Sequence, residues 1–237
     1  PQREGLIGVD YAATNKAAAK VGYNLVAGTT GLFAGKGMLA APVDVLLIDE
    51  AGQLSLADAL AACRSARNLI LLGDPLQLPQ VAQAAHPGGG GRSVLEHVLG
   101  EHATIPPQRG VFLSQTRRMH PDACTFVSNE FYEGRLTSHP SCAGQTTELG
   151  TGLRWLRADH AGRVTESEEE AEIVAREIKR LLGSGWTNQR GEHVRLGLDD
   201  VLVVDPYNDR VALLHARLDA NPTTRGVAAG TVDKFQG

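Results

Sequence analysis

At 237 residues, with 42% hydrophobic and 21% charged residues, the chain has room for one or two globular domains with buried cores and an ordinary soluble composition. No run approaches the ~18 consecutive apolar residues of a membrane span, and Pro1-Gln2-Arg3-Glu4 offers neither Met nor a signal-peptide core, so it reads as a cut inside a longer chain. The net charge of −4 provides no whole-chain attraction for nucleic acid, although a few local donors suffice to grip phosphates.

Tyr23–Val26 reads as a first strand. Val43–Ile48, apolar but for Asp44, and Leu69–Leu72 are short runs of the form expected of parallel strands covered on both faces. Between them, Leu56, Ala59, Leu60 and Cys63 recur at helical spacing within Ser55–Arg64, completing a βαβ unit. His86-Pro87 and the four glycines after it read as a mobile loop, Ser93–Leu99 as a short helix that Pro106-Pro107 cannot continue. A domain boundary is expected near residue 108.

The second half repeats the alternation. Val111–Leu113 reads as a strand and Pro121–Tyr132 as a helix with Cys124, Val127 and Phe131 on its inner face. Ser167 and Glu170 fit a capping box for a helix over Glu168–Leu182, with Ile173, Val174, Ile178, Leu181 and Leu182 inward. Its acidic start and its basic end, Arg176, Lys179 and Arg180, suit the helix dipole and read as a solvated face. Val201–Val204 is a strand, Asn208–Leu218 a helix, and Gly230–Val232 begins a last strand. Cys63, Cys124 and Cys142 lack any C-x-x-C spacing and the eight histidines are scattered, which argues against zinc and disulfides and fits a reducing cytoplasm.

Two loops carry candidate chemistry. Asp49-Glu50 ends a buried strand, where open α/β sheets bind ligands. One carboxylate there can hold Mg²⁺ and the other polarise water; an ordinary strand-to-helix turn would look the same. Gly73-Asp74-Pro75-Leu76-Gln77 ends the next strand, either as a simple turn or as a mount for Gln77 to sense a γ-phosphate.

Asp49-Glu50-Ala51-Gly52-Gln53 and Gly73-Asp74-Pro75-Leu76-Gln77-Leu78-Pro79 resemble motifs II and III of superfamily 1 helicases, in the 5′-to-3′ branch that includes nonsense-decay and replication helicases. Gln115-Thr116-Arg117-Arg118-Met119-His120-Pro121 with Phe131-Tyr132-Glu133-Gly134-Arg135-Leu136 resembles that branch's R-M-H-P and F-Y-x-G-x-L segments. Pro206-Tyr207-Asn208 is similar to its P-Y-N segment, and the heptapeptide Thr231 to Gly237 to motif V. The resemblance runs from about Gly28 to the last residue. It implies an α/β fold of two RecA-like lobes with mostly parallel sheets, both incomplete: residues 1–108 the later part of the first, residues 109–237 most of the second.

The same resemblance implies a fragment of an ATP-dependent DNA helicase or translocase that uses ATP and Mg²⁺. Asp49 would bind the metal shell, Glu50 activate water, Gln77 contact the γ-phosphate and Arg118 serve as arginine finger, with Gly237 beside the nucleotide. Arg117 departs from the aromatic residue the family more often has. Thr29, in a Gly28-Thr29 pair similar to motif Ic, would meet the backbone of single-stranded DNA or RNA together with Asn208 and Thr231; a cap or turn role is the alternative for each. The chain is also similar to bacterial proteins that join a RecB-like nuclease domain to such a helicase, which implies the rest of a parent chain as partner and no membrane. An RNA helicase and a binding module without hydrolysis remain open readings.

A phosphate-binding loop requires G-x-x-x-x-G-K-[ST]. Gly31-Leu32-Phe33-Ala34-Gly35-Lys36-Gly37 has the wrong glycine spacing and ends in Gly, so Lys36 reads as a surface loop residue. The true loop is expected upstream of Pro1, and the fragment alone is expected to be inactive.

Overall fold

Val43–Ile48 (β1) pairs in parallel with Ala66–Leu71 (β2), from Val43 opposite Ala66 to Ile48 opposite Leu71. In the computed structural model, residues 9–20, 22–77, 90–160 and 166–235 are described. The second strand starts three residues before the apolar run because polar side chains fasten it: Arg67 Nη1 lies 3.1 Å from Asp44 Oδ1, and Asn68 Nδ2 donates to the Asp44 carbonyl at 3.0 Å. Ser55 caps the connecting helix α4 (Leu56–Cys63) by accepting the Asp58 amide.

The chain divides into two compact units, Pro1–Ile105 and Pro106–Gly237. Both are mixed α/β, and among the described residues three of four small sheets are parallel. No helix among those residues is long and apolar enough to cross a membrane.

The first unit has two apolar clusters. Leu32, Phe33, Met38, Leu46 and Ala62 form one; they join short helices α2 (Thr30–Phe33) and α3 (Lys36–Ala40) and helix α4 to β1, with half-buried Ala18 of α1 (Asn15–Ala18) packed against them. Ala51, Ala59, Val94, Leu95 and Leu99 form the other, under α5 (Val94–Leu99). Helix α5 begins with a full capping box: Ser93 Oγ accepts the Glu96 amide and Glu96 Oε2 accepts the Ser93 amide. The two strands are not covered on both faces, since Val45, Leu47 and Ile70 remain well exposed. Helix α4 turns Ala59 and Ala62 inward and leaves Leu60 outside. Tyr23–Val26 joins no strand among the described residues. Lys36 opens α3 and is exposed, so it is a helix residue and not a loop one. Of the glycine-rich segment, residues up to Gly89 lie outside the described set.

In the second unit, Gln115–Thr116 (β3) pairs with Thr137–Ser138 (β4). Val111–Leu113 forms no strand, because the parallel partner reaches only Gln115 and Thr116; Val111 and Leu113 stay exposed. Helix α6 (Pro121–Phe131) buries Cys124 and Ser128, while Phe131 faces out. The turn after it folds back on the Ser128 side, where the Gly134 amide bonds to Ser128 O and the Leu136 amide to Ser128 Oγ. Burial, with Cys142 nearby, pushes the Cys124 thiol pKa up. Thr146–Thr147 (β5), Gly185–Thr187 (β6) and His193–Arg195 (β7) form an antiparallel sheet.

Helix α7 (Glu168–Leu181) and α8 (Asn208–Asp219) pack on the parallel pair Leu202–Val204 (β8) and Ala228–Gly230 (β9). Ala171, Ala175, Ile178, Val203, Leu214, Leu218, Val227 and Ala229 are their buried core. Each enclosed leucine contributes roughly 1.5–3 kcal/mol. The inner face of α7 thus centres on Ala171, Ala175 and Ile178, with Ile173 and Leu181 only half-buried. Ser167 accepts the Glu170 amide, but the reciprocal half of the capping box is missing because the Glu170 carboxylate is engaged by His160 and Arg210. The last strand stops at Gly230; the Lys234 amide bonds to Thr231 O and Val232–Phe235 is a helical turn (α9).

Candidate functional site

In the first unit the chemistry sits where β1 and β2 end side by side. The ladder continues past the strands: the Leu72 amide bonds to Ile48 O and the Ala51 amide to Leu72 O, both at 2.8 Å. The loops that follow, Asp49–Gln53 and Gly73–Gln77, are therefore held against each other. Two glycines make the approach possible. A Cβ on Gly52 would strike the Asp74 carbonyl oxygen, and one on Gly73 would lie 2.8 Å from the Ala51 nitrogen and 3.0 Å from that of Gly52. Gly73 also has φ +154°.

Glu50 has φ +52°, a left-handed conformation that costs a non-glycine residue roughly 1–2 kcal/mol. Such outliers collect where an arrangement is fixed for function. Its amide donates to Asp49 Oδ1 at 3.0 Å, and its carbonyl accepts the Gln53 amide at 2.8 Å. Both carboxylates are exposed at the rim. In the second loop Asp74 folds an Asx turn, Oδ1 accepting the Leu76 amide at 3.0 Å. Gln77 Nε2 lies 3.4 Å from Asp74 Oδ2, so among the described residues its amide meets Asp74 and not Asp49 or Glu50.

A groove of about 1050 Å³ opens beside this rim, lined by Gly28, Thr29, Phe33, Met38, Asp49 and Glu50 among others. Thr29 thus faces the same space as the acidic pair. It is the N-cap position of α2, but its side chain makes no capping hydrogen bond.

In the second unit, Arg118 lies exposed between β3 and α6 and forms no ion pair among the described residues. Its loop is well anchored: the Arg118 amide bonds to Thr116 Oγ1, Ser138 Oγ donates to Met119 O, and Gln189 Nε2 donates to Arg117 O at 3.0 Å. Asn208 and Thr231 follow the carboxyl ends of the paired strands β8 and β9, where the Asp205 amide bonds to Gly230 O at 3.1 Å. Gly237, with Leu78 and Pro79 of the second loop, lies outside the described residues.

Sequence reasoning missed Gly52 and Gly73 as contact points, and the ion pair of buried Asp205 with half-buried Arg210. The glycines stand inside the quoted motifs; Asp205 carries no signal beyond ending a strand.

The AAA domain family matches residues 91–237, and a second AAA domain match covers residues 21–84. The chain belongs to the AAA domain family. Within it, the chain is 31% identical over 217 residues to the mouse (Mus musculus) DNA-binding protein SMUBP-2, covering 82% of this chain and 20% of that protein. It is 29% identical over 210 residues to the mouse 5′-3′ DNA helicase ZGRF1, covering 81% and 10%. It is 24% identical over 216 residues to the Arabidopsis thaliana DNA replication ATP-dependent helicase/nuclease JHS1, covering 82% and 15%. The chain therefore spans a fifth or less of these relatives' length. That this AAA domain chain has helicases among its relatives agrees with the superfamily 1 motifs.

Proposed function

We propose that this chain is part of an ATP-driven motor that moves on single-stranded DNA, built from two RecA-like lobes. The observation that carries the reading is the rim of the first unit: a backbone-strained Glu50 beside Asp49, clamped to the Asp74 turn at the ends of two parallel strands. Adjacent exposed carboxylate oxygens are the donors Mg²⁺ prefers. Asp49 would hold the ion and Glu50 would take a proton from the attacking water; bound Mg²⁺–ATP supplies the phosphoryl group and the charge neutralisation. Gln77 would contact the γ-phosphate and Arg118 would stabilise the charge that develops there. Gly237 would border the nucleotide.

Thr29, Asn208 and Thr231 would grip backbone phosphates, a sequence-tolerant hold suited to translocation. DNA is the proposed substrate and RNA the alternative, which the unwinding comparison below separates. The 237 residues include no G-x-x-x-x-G-K-[ST] segment, so hydrolysis requires a longer protein that supplies one, with a nuclease domain as a further proposed neighbour. Three free cysteines fit a reducing compartment, and the cytoplasm is the proposed location.

The test uses the longer protein that this reading requires. Glu50→Gln should abolish single-strand-stimulated ATP hydrolysis while sparing ATP binding, and Arg118→Ala should cut turnover by about 10³-fold or more. Near-normal turnover in either variant would remove the assigned role. The 237-residue chain alone should not hydrolyse ATP, and unwinding of DNA against RNA duplexes decides the substrate.

A further inference from the structure

Asp205 follows β8 and is only 8% exposed. A carboxylate so placed is costly unless it is paired and hydrogen-bonded. Here both oxygens are used: Oδ1 accepts the Tyr207 amide at 3.0 Å, and Oδ2 lies 3.0 Å from Arg210 Nε. Arg210 stands in the first turn of α8, where a cation opposes the helix dipole. Its position is explained by the two acids it bridges, since Nη2 also contacts the Glu170 carboxylate. Glu170 Oε1 in turn lies 2.9 Å from His160 Nε2.

The four groups come from four segments: the stretch before α7, the start of α7, the end of β8 and the start of α8. Through Asp205 they reach one turn, Tyr207-Asn208. Tyr207 and Asn208 are exposed on it while its backbone is pinned from inside. Asp205 also ties this turn to the neighbouring strand through its amide and Gly230 O, next to Thr231.

We infer that Asp205 and Arg210 are positioning residues that fix the Tyr207-Asn208 turn, so that Asn208 meets a backbone phosphate at a set height above the sheet rim. Glu170, oriented by His160, holds the outer edge of the guanidinium and keeps the fork closed on Asp205. The inference rests on the nucleic-acid reading above and deepens it by naming what orients the contact. Arg210 acts through Asn208 and does not itself touch the strand.

The experiment measures binding of a labelled oligothymidylate to the 237-residue chain by fluorescence anisotropy over a salt series. It compares the unmodified chain, Asn208→Ala, Arg210→Gln and the double variant at a temperature where circular dichroism shows all four folded. Loss of one phosphate hydrogen bond should weaken binding by roughly 3- to 10-fold in Asn208→Ala. Arg210→Gln should cost a similar factor alone and almost nothing in the Asn208→Ala background, because both remove the same contact. The salt slope should not change with Arg210→Gln, whereas a direct phosphate contact would lower it by about one.

Multiplying losses, or a reduced salt slope, would overturn the positioning role. So would weakened binding in Asn208→Ala with none in Arg210→Gln, which leaves the nucleic-acid reading intact. No binding by the unmodified chain, or none lost in Asn208→Ala, would overturn that reading at this rim and the positioning role with it. If Arg210→Gln unfolds, Glu170→Gln frees only the outer edge of the guanidinium and carries the same coupling test.

Discussion

Replacing Gly52 with alanine tests whether the two loops at the acidic rim are held backbone to backbone. The added Cβ would press on the Asp74 carbonyl oxygen and lie 3.0 Å from its carbonyl carbon and 3.5 Å from Pro75 Cα. All three are main-chain atoms, so no rotamer change relieves the clash and the loops must part. Overpacking of this kind costs about 1–3 kcal/mol. The nearest reporters are the Ala51 and Leu72 amides, each in a 2.8 Å hydrogen bond of the extended ladder. Tryptophan fluorescence would report the wrong unit, since Trp155 and Trp186 both lie in the second one. Native-state hydrogen exchange reads the ladder directly, and both amides should exchange roughly 5- to 150-fold faster in Gly52→Ala. Gly91→Ala is the control, because nothing lies within 4 Å of its Cβ position. Exchange rates in Gly52→Ala equal to those of the control would refute the close-packed loops, and with them the geometric basis for the site.

Three further expectations follow from single residues. Glu50→Gly should stabilise the first unit by up to about 1 kcal/mol, by relieving the left-handed strain, while it removes the proposed base; a lower melting temperature would show that the conformation is not strained. Ser93→Ala, which breaks the capping box of α5, should lower the denaturation midpoint by an amount worth about 1 kcal/mol, and an unchanged midpoint would show that the cap carries no weight. Cys124 has its thiol pKa raised by burial, so its contribution is complete below the unfolded value of about 8.5. It is lost as pH rises through the folded value, because the unfolded chain ionises first. Tryptophan-monitored denaturation in this alkaline range should show falling stability, with a flatter slope in Cys124→Ala; an identical slope would assign the effect elsewhere.

The R-M-H-P loop and the P-Y-N turn show how differently two motif segments can be supported. The first is anchored by neutral hydrogen bonds from Ser138 and from Gln189, at the turn between β6 and β7. The second is fixed by an ion pair between buried Asp205 and half-buried Arg210. Truncating Arg210 is the more disruptive change, since it leaves the Asp205 carboxylate without its cation away from water.

Local chemistry was legible in the chain itself. The run Val43–Ile48 became β1 residue for residue, because a hexapeptide apolar at every position but Asp44, rich in branched side chains and closed by two acids, has few alternatives. Helices α6, α7 and α8 fell within a residue or two of the expected bounds, since prolines, serine caps and acidic first turns act over neighbouring positions. The identities of Asp49, Glu50 and Gln77 and their order were equally readable, as was their location after strands. Failures came where the outcome depended on a distant partner: Val111–Leu113 pairs with no strand among the described residues, and Phe131 lost its inward place to Ser128 when the following turn folded back. Only tertiary structure decided that Gly52 and Gly73 let two loops touch, that Glu50 adopts a left-handed backbone, and that Arg210 bridges Asp205 to Glu170. Periodicity and capping are short-range effects written in adjacent residues, whereas steric closeness and charge pairing appear once the chain has brought remote segments together.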